Sequence, residues 1–237
     1  MDGETKDYVV LQDIKCVGSD GSVFEEYPLL HIAKEVIKRD ETRPRKFTLL
    51  EGIAYFDSKP EFLPSFALTC NILARCYEKR EEPEYKSILA QYAGIGTGRG
   101  WYAQNTIIDA QNKKIIHYPQ EDDFPTKYTR AIKKDQHIIK EFPDIFDRKT
   151  LPLEEALKDA SKRTFMQELS GLVEPELLCT IAQYIGRQAV FWPPSNASVH
   201  TTSIGFDDRI YIHAAGGVDY IGQIRPVSKV CNYKKAA

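Results

Sequence analysis

Apolar positions along the chain follow a helical period early, fall in two short isoleucine pairs around a turn in the middle and end in short β-branched runs. The chain opens on "YVVL" (Tyr8 to Leu11), a strand pattern, and "GSDGS" (Gly18 to Ser22) then marks a turn. In "YPLLHIAKEVIKR", Leu29, Leu30, Ala33, Val36 and Ile37 share one stripe and Pro28 sits near the first turn, which predicts a helix. A second helix is expected over Arg45 to Phe56. The third, "LPSFALTCNILARCYEKR", is the strongest: Ser65 can cap it, and Phe66, Cys70, Leu73 and Tyr77 line one face beside Ile72 and Cys76. "PEYKSILAQYA" (Pro83 to Ala93) adds a fourth. Residues 25–93 therefore read as a helical layer.

The period then changes. "NTIIDAQNKKIIHYP" predicts a central β-hairpin around Gln111-Asn112. Asp109 should face Lys114 as an ion pair, Ile108 should face Ile115, Ile107 Ile116 and Thr106 His117. "KYTRAIKKDQHIIKEF" predicts another helix, and Pro152 introduces one from Leu153. "VEPELLCTIAQYIGRQ" predicts a last helix with Val173, Leu177, Ile181 and Ile185 on one face and Gly186 at its stop. "AVFW", "IYIHA" and "VDYIGQI" form a C-terminal antiparallel β meander. This order predicts an α+β fold, taken as one domain over residues 1–237, rather than an alternating parallel sheet.

Composition narrows the setting. Apolar residues at 42% and charged ones at 28% suit a globular core. A net charge of −2 speaks against a protein that coats polyanions, and leaves room for a local basic patch. The start has no cationic, then apolar, leader, and no run reaches the ~18 apolar residues of a membrane helix. The expectation is a cytoplasmic protein with no membrane partner. Five cysteines without a C-x-x-C pair point to buried, reduced thiols rather than disulfides or zinc.

Four places carry candidate chemistry. "YAGIGTGRGWYAQN" is glycine-dense, but a helix precedes it and a strand follows, the reverse of a dinucleotide-binding turn, and no Walker lysine is present. A helix stop and a hairpin lead explain its glycines. Arg99 and Trp101 still suit an anion or a stacked base. Lys127, Arg130 and Lys134, followed by His137, share a helical face that can meet phosphates or simply solvent. His117 precedes Glu121, Asp122 and Asp123, yet no second histidine has ligand spacing, so no metal or cofactor is expected. In the tail, His200, Asp207, Asp208 and His213 invite acid–base chemistry, with His213 pointing away from the core face.

The ending "FWPPSNASVH…AAGGVDYIGQIRPV", from Phe191 to Val227, resembles the closing strands of C-type-lectin-like folds. It lacks that family's upstream motifs and assigns no site residue. The function expected from the residues is a binding module for an anionic ligand, a nucleic acid or a phosphate-bearing molecule, gripped by Arg99, Trp101, Lys127, Arg130 and Lys134. One alternative is a hydrolase built on His117 or on His213 with Asp208. Another is a protein–protein interaction or assembly protein.

Overall fold

The computed structural model describes residues 8–37, 46–57, 59–92, 100–119, 123, 136–139, 141–146, 149–196, 199–216 and 222–228. The fold is mixed α+β with two sheets. In chain order the elements are β1 (Tyr8–Val17), β2 (Val23–Ala33), α1 (Leu49–Phe56), β3 (Glu61–Phe62), α2 (Phe66–Glu78) and α3 (Pro83–Tyr92). Next come β4 (Gly100–Asp109), β5 (Lys114–His117), β6 (His137–Ile139), β7 (Leu151–Pro152), α4 (Leu153–Ala156), α5 (Ala160–Ser170) and α6 (Leu177–Tyr184). The chain ends in β8 (Ala189–Trp192), β9 (Val199–Phe206), β10 (Ile210–Gly216) and β11 (Val227–Ser228).

The smaller sheet has the order β1-β2-β11-β3, and the larger one β6-β5-β4-β9-β10-β8-β7. Helix α2 packs against β1, β4, α3, α5 and α6. It starts where expected: Ser65 is the N-cap, and its hydroxyl accepts from the Leu68 amide at 3.0 Å. Its residues are buried almost all round, which suits a helix enclosed by neighbours. Apolar side chains from both sheets share its core, from Val9, Leu30 and Ile32 to Ile204, Phe206 and Ile212.

Residues 222–228 join the two sheets. Gln223 bridges to Tyr102 beside β4, the Ile224 and Pro226 carbonyls accept from Ile37 and Ala33, and Val227 pairs with β2 and β3. Gly222 has no room for a side chain, since a Cβ there would meet the Ala103 amide nitrogen at 2.5 Å. The "RPV" ending thus becomes a seam, with Arg225 fully buried. Its guanidinium donates to the Ala33 and Lys34 carbonyls at 2.7 Å and to Gln91 Oε1 at 2.9 Å.

Several expectations are corrected. The stretch expected to open the helical layer is strand β2, so β2 and β3 interrupt residues 25–93. Its pairing with β1 skips Asp13 and Pro28, where Asp13 is left-handed (φ 52°) and proline has no amide to donate. His137–Ile139, expected in a helix, is a strand paired with β5. The closing strands are not a pure antiparallel meander, because β8 and β10 run parallel, and the hairpin belongs to the same sheet. The hairpin register is as expected at all four pairs. The Asp109 carboxylate, however, accepts from Asn112 in the turn rather than pairing with Lys114. Val173, expected on one helical face with Leu177, lies outside the helix and is 62% exposed, since α6 begins only at Leu177.

Candidate ligand-binding face

Four adjacent strands, β4-β9-β10-β8, carry an aromatic band on the side of the larger sheet away from α2. Register places Trp101 opposite Gly205 and Gly205 opposite Tyr211. One step along, Ser203 faces His213, which faces Trp192 on the parallel strand β8. Pleat alternation puts all of these on one face. At the other end of that face, α1 covers Ile107 and Ile116 with Leu49, Ile53 and Phe56, alongside Phe47 and Ile224.

Gly205 determines how Trp101 lies. A Cβ at position 205 would meet three indole carbons at 2.5, 2.6 and 2.7 Å. Near-equal distances mean that the indole lies flat over the glycine, filling the space a side chain would take. Tyr211 continues this floor, its ring 5.5 Å from Trp101 and tilted by only 29°. His213 stands across it at 70° to Trp101, 5.6 Å away, and at 75° to Trp192, 4.8 Å away. Trp192 is 40% exposed, while His213 is 7% exposed.

The polar groups of this face are weakly suited to acid–base catalysis. Burial, and then the nearby His200, lower His213 to about 4. It is therefore neutral at pH 7 and a weak base. Ser203 Oγ lies 3.4 Å from its Nδ1. His200 Nε2 is 3.0 Å from the Ser195 carbonyl, which can only accept, so that nitrogen carries the ring proton. It cannot also take a proton from Ser195 Oγ, 3.1 Å away. Asp208 meets neither imidazole: it accepts from the Tyr211 hydroxyl at 3.2 Å and lies 3.9 Å from Arg209 Nε. Burial, followed by the Asp208 charge, raises the Tyr211 phenol.

His117 lies elsewhere, in an interior polar cluster. Thr106 Oγ1 accepts from the Phe66 amide at 2.9 Å, so its proton is available to His117 Nδ1 at 2.8 Å. Nε2 then bears the ring N–H and points at the Glu168 carbonyl, 3.4 Å away. Phe24 stacks on His117 and, at 4.1 Å, on His137. Burial lowers the His137 pKa, with Glu168, Glu25 and Asp20 opposing. Beside them, half-buried Glu25 accepts from Tyr27 and Tyr118 at 2.5 Å and from Ser65 at 3.1 Å, close to the amino end of α2. Both phenols are held above their ordinary range by burial and then by Glu25.

The structure thus brings Trp101 and His213 together and leaves His117 and Asp208 apart from them. Arg99, Lys127, Arg130 and Lys134 lie outside the described residues, as do Glu121 and Asp122. Gly205, Tyr211 and Trp192 join the face without having been singled out. For Tyr211 and Trp192 the sequence signal is alternation, since in "IYIH" and "AVFW" each of these rings follows a core residue. Among the described residues no three His, Cys, Asp or Glu side chains form a group that could hold a metal. Cys16, Cys70, Cys76 and Cys179 are free, with burial pushing Cys76 up to about 12 and Cys179 to about 11. No described helix is long and apolar enough to cross a membrane. No family model matches the chain, and no curated protein or solved structure matches it.

Proposed function

We propose that this protein is a binding module for an anionic, ring-bearing ligand, a nucleic acid or a phosphate-bearing nucleotide, held on the aromatic face. One observation carries this reading: Trp101 lies flat over Gly205 and extends into Tyr211, a floor on which a planar ring can stack. Base–aromatic stacking tolerates any base and contributes about 1–3 kcal/mol per base. Phosphates need cations. Arg187 is exposed just before β8, and Arg209 is half-exposed in the β9–β10 turn, at the Tyr211 end of the floor. Arg99, two residues before Trp101, and Lys127, Arg130 and Lys134 are proposed to add to them. The weak base at His213 and the Asp208–Tyr211 bond give the hydrolase alternative less support.

The test is a tryptophan-fluorescence titration with a nucleoside monophosphate, inorganic phosphate and an uncharged oligosaccharide. The nucleotide should bind best, and Trp101→Ala should weaken it about 5- to 100-fold. Gly205→Ala should act in the same direction, because its Cβ must displace the indole. Equal binding by Trp101→Ala, or preference for the oligosaccharide, would overturn the proposal.

A further inference from the structure

The floor of Trp101 and Tyr211 accounts for one ring, yet the same face carries a second indole. Trp192 is the most exposed ring of the band, at 40%, on the far side of β10 from Trp101. Both indoles flank a single imidazole, with ring centroids 5.6 and 4.8 Å from it. They also sit at successive levels: Trp101 is in register with Tyr211, and Trp192 with His213. The band therefore runs diagonally, one residue pair further along the sheet for the second ring. A free nucleotide has one base and can cover only one of these rings. A single strand repeats its bases along a backbone, and one unstacked step crosses the width of an imidazole.

Resting on the proposed function, we infer that this face takes two consecutive bases of a single-stranded nucleic acid, the first flat on Trp101 and Tyr211 and the second on Trp192. His213, 7% exposed, lies between them and spaces the two rings, with the buried Ser203 hydroxyl 3.4 Å from its Nδ1. Arg187 and Arg209 stand at the Tyr211 end, where they can meet the phosphate entering the first base. A duplex does not fit this reading, because its bases are already stacked on each other and offer no free face to an indole. Linking the bases makes the second stacking event intramolecular, so the gain appears as affinity without any new class of contact.

The experiment separates base from charge. Wild-type protein is titrated with a 5′-phosphorylated mononucleotide, the corresponding dinucleotide, and a dinucleotide of equal charge whose second unit lacks its base, in ribo and deoxyribo form. The full dinucleotide should bind at least about 5-fold tighter than its abasic counterpart. Trp192→Ala should remove that difference and weaken the dinucleotide several-fold more than the mononucleotide, and Trp192→Phe should restore most of the loss. Equal affinity of the two dinucleotides for the wild type would overturn the inference while the one-ring function stands. So would an equal loss of mononucleotide and dinucleotide binding in Trp192→Ala. Failure of even the mononucleotide to bind would remove the proposed function with it.

Discussion

The cluster around Glu25 and His117 and the face around Trp101 and His213 are built from the same kinds of groups: imidazoles, hydroxyls and stacked rings. In the first, Glu25 receives two phenols and a serine, and His117 has a hydroxyl on one nitrogen and a carbonyl toward the other. Its polar atoms face inward, and its aromatic partner Phe24 lies between two imidazoles. In the second, the strongest fit is between an indole and a glycine, and the rings lie on the surface of a sheet. A network whose donors and acceptors answer one another holds strands and a helix in place. A row of rings over a glycine instead lines one face of a sheet. The difference teaches that the same groups can be tied up in interior hydrogen bonds or laid out as rings along a sheet, depending on where the rings turn.

Removing Glu25 should break the interior cluster hardest. Glu25→Ala leaves the buried Tyr27 and Tyr118 hydroxyls without their acceptor, and each such group costs about 1–3 kcal/mol. The expected loss is about 3 kcal/mol or more in urea unfolding, with the affinity of the Trp101 face unchanged to within about 2-fold. A variant that unfolds normally but binds nothing would reverse the comparison and make the interior cluster the site.

The next effect comes from His213 and appears as acid sensitivity. Its folded-state pKa of about 4 lies below the ordinary value, 6.5. The unfolded chain therefore takes up a proton between those values while the folded chain does not, and stability falls as pH drops from about 6.5 to 4. Above 6.5 both states are neutral and the effect vanishes. At its full extent it is on the order of 3 kcal/mol. His213→Gln, which cannot titrate, should lose less stability than the wild type between pH 7 and pH 4.5. Equal losses would mean that the imidazole is already accessible to protons, and that the face is more open than the ring packing implies.

How much of this could be read in advance depends on how local the cause is. The hairpin register needs only two isoleucine pairs placed symmetrically about a short turn, and it was legible at every pair from Thr106–His117 to Asp109–Lys114. The Ser65 cap is equally local. Strand β2 was not legible, because Leu29, Leu30 and Ala33 imitate a helical stripe, whereas the strand places Leu30 and Ile32 in the core and leaves Leu29 outside. Only the pairing with β1 and β11 decides between the two periods. The site was half legible. Trp101 and His213 stood out singly, but they meet only because β9 lies between β4 and β10. Its sequence "VHTTSIGF" is polar enough to pass for a loop, and the small residues that bring the rings together, Gly205 and Ser203, carry no chemistry of their own.

The smallest effect is the sharpest on function. Asp208 accepts one exposed hydrogen bond from Tyr211 and lies near Arg209, so neither contact contributes much. Asp208→Asn should change stability by less than about 0.5 kcal/mol. It also removes a negative charge beside the floor, so a phosphate-bearing ligand should bind equally well or a few-fold tighter, most clearly at low salt. A catalytic Asp208 predicts the opposite pattern, with turnover of an ester or phosphodiester substrate lost and binding retained. Measuring ligand affinity and hydrolysis on this one variant therefore separates a face that holds its ligand from one that cuts it, without disturbing the fold on which either depends.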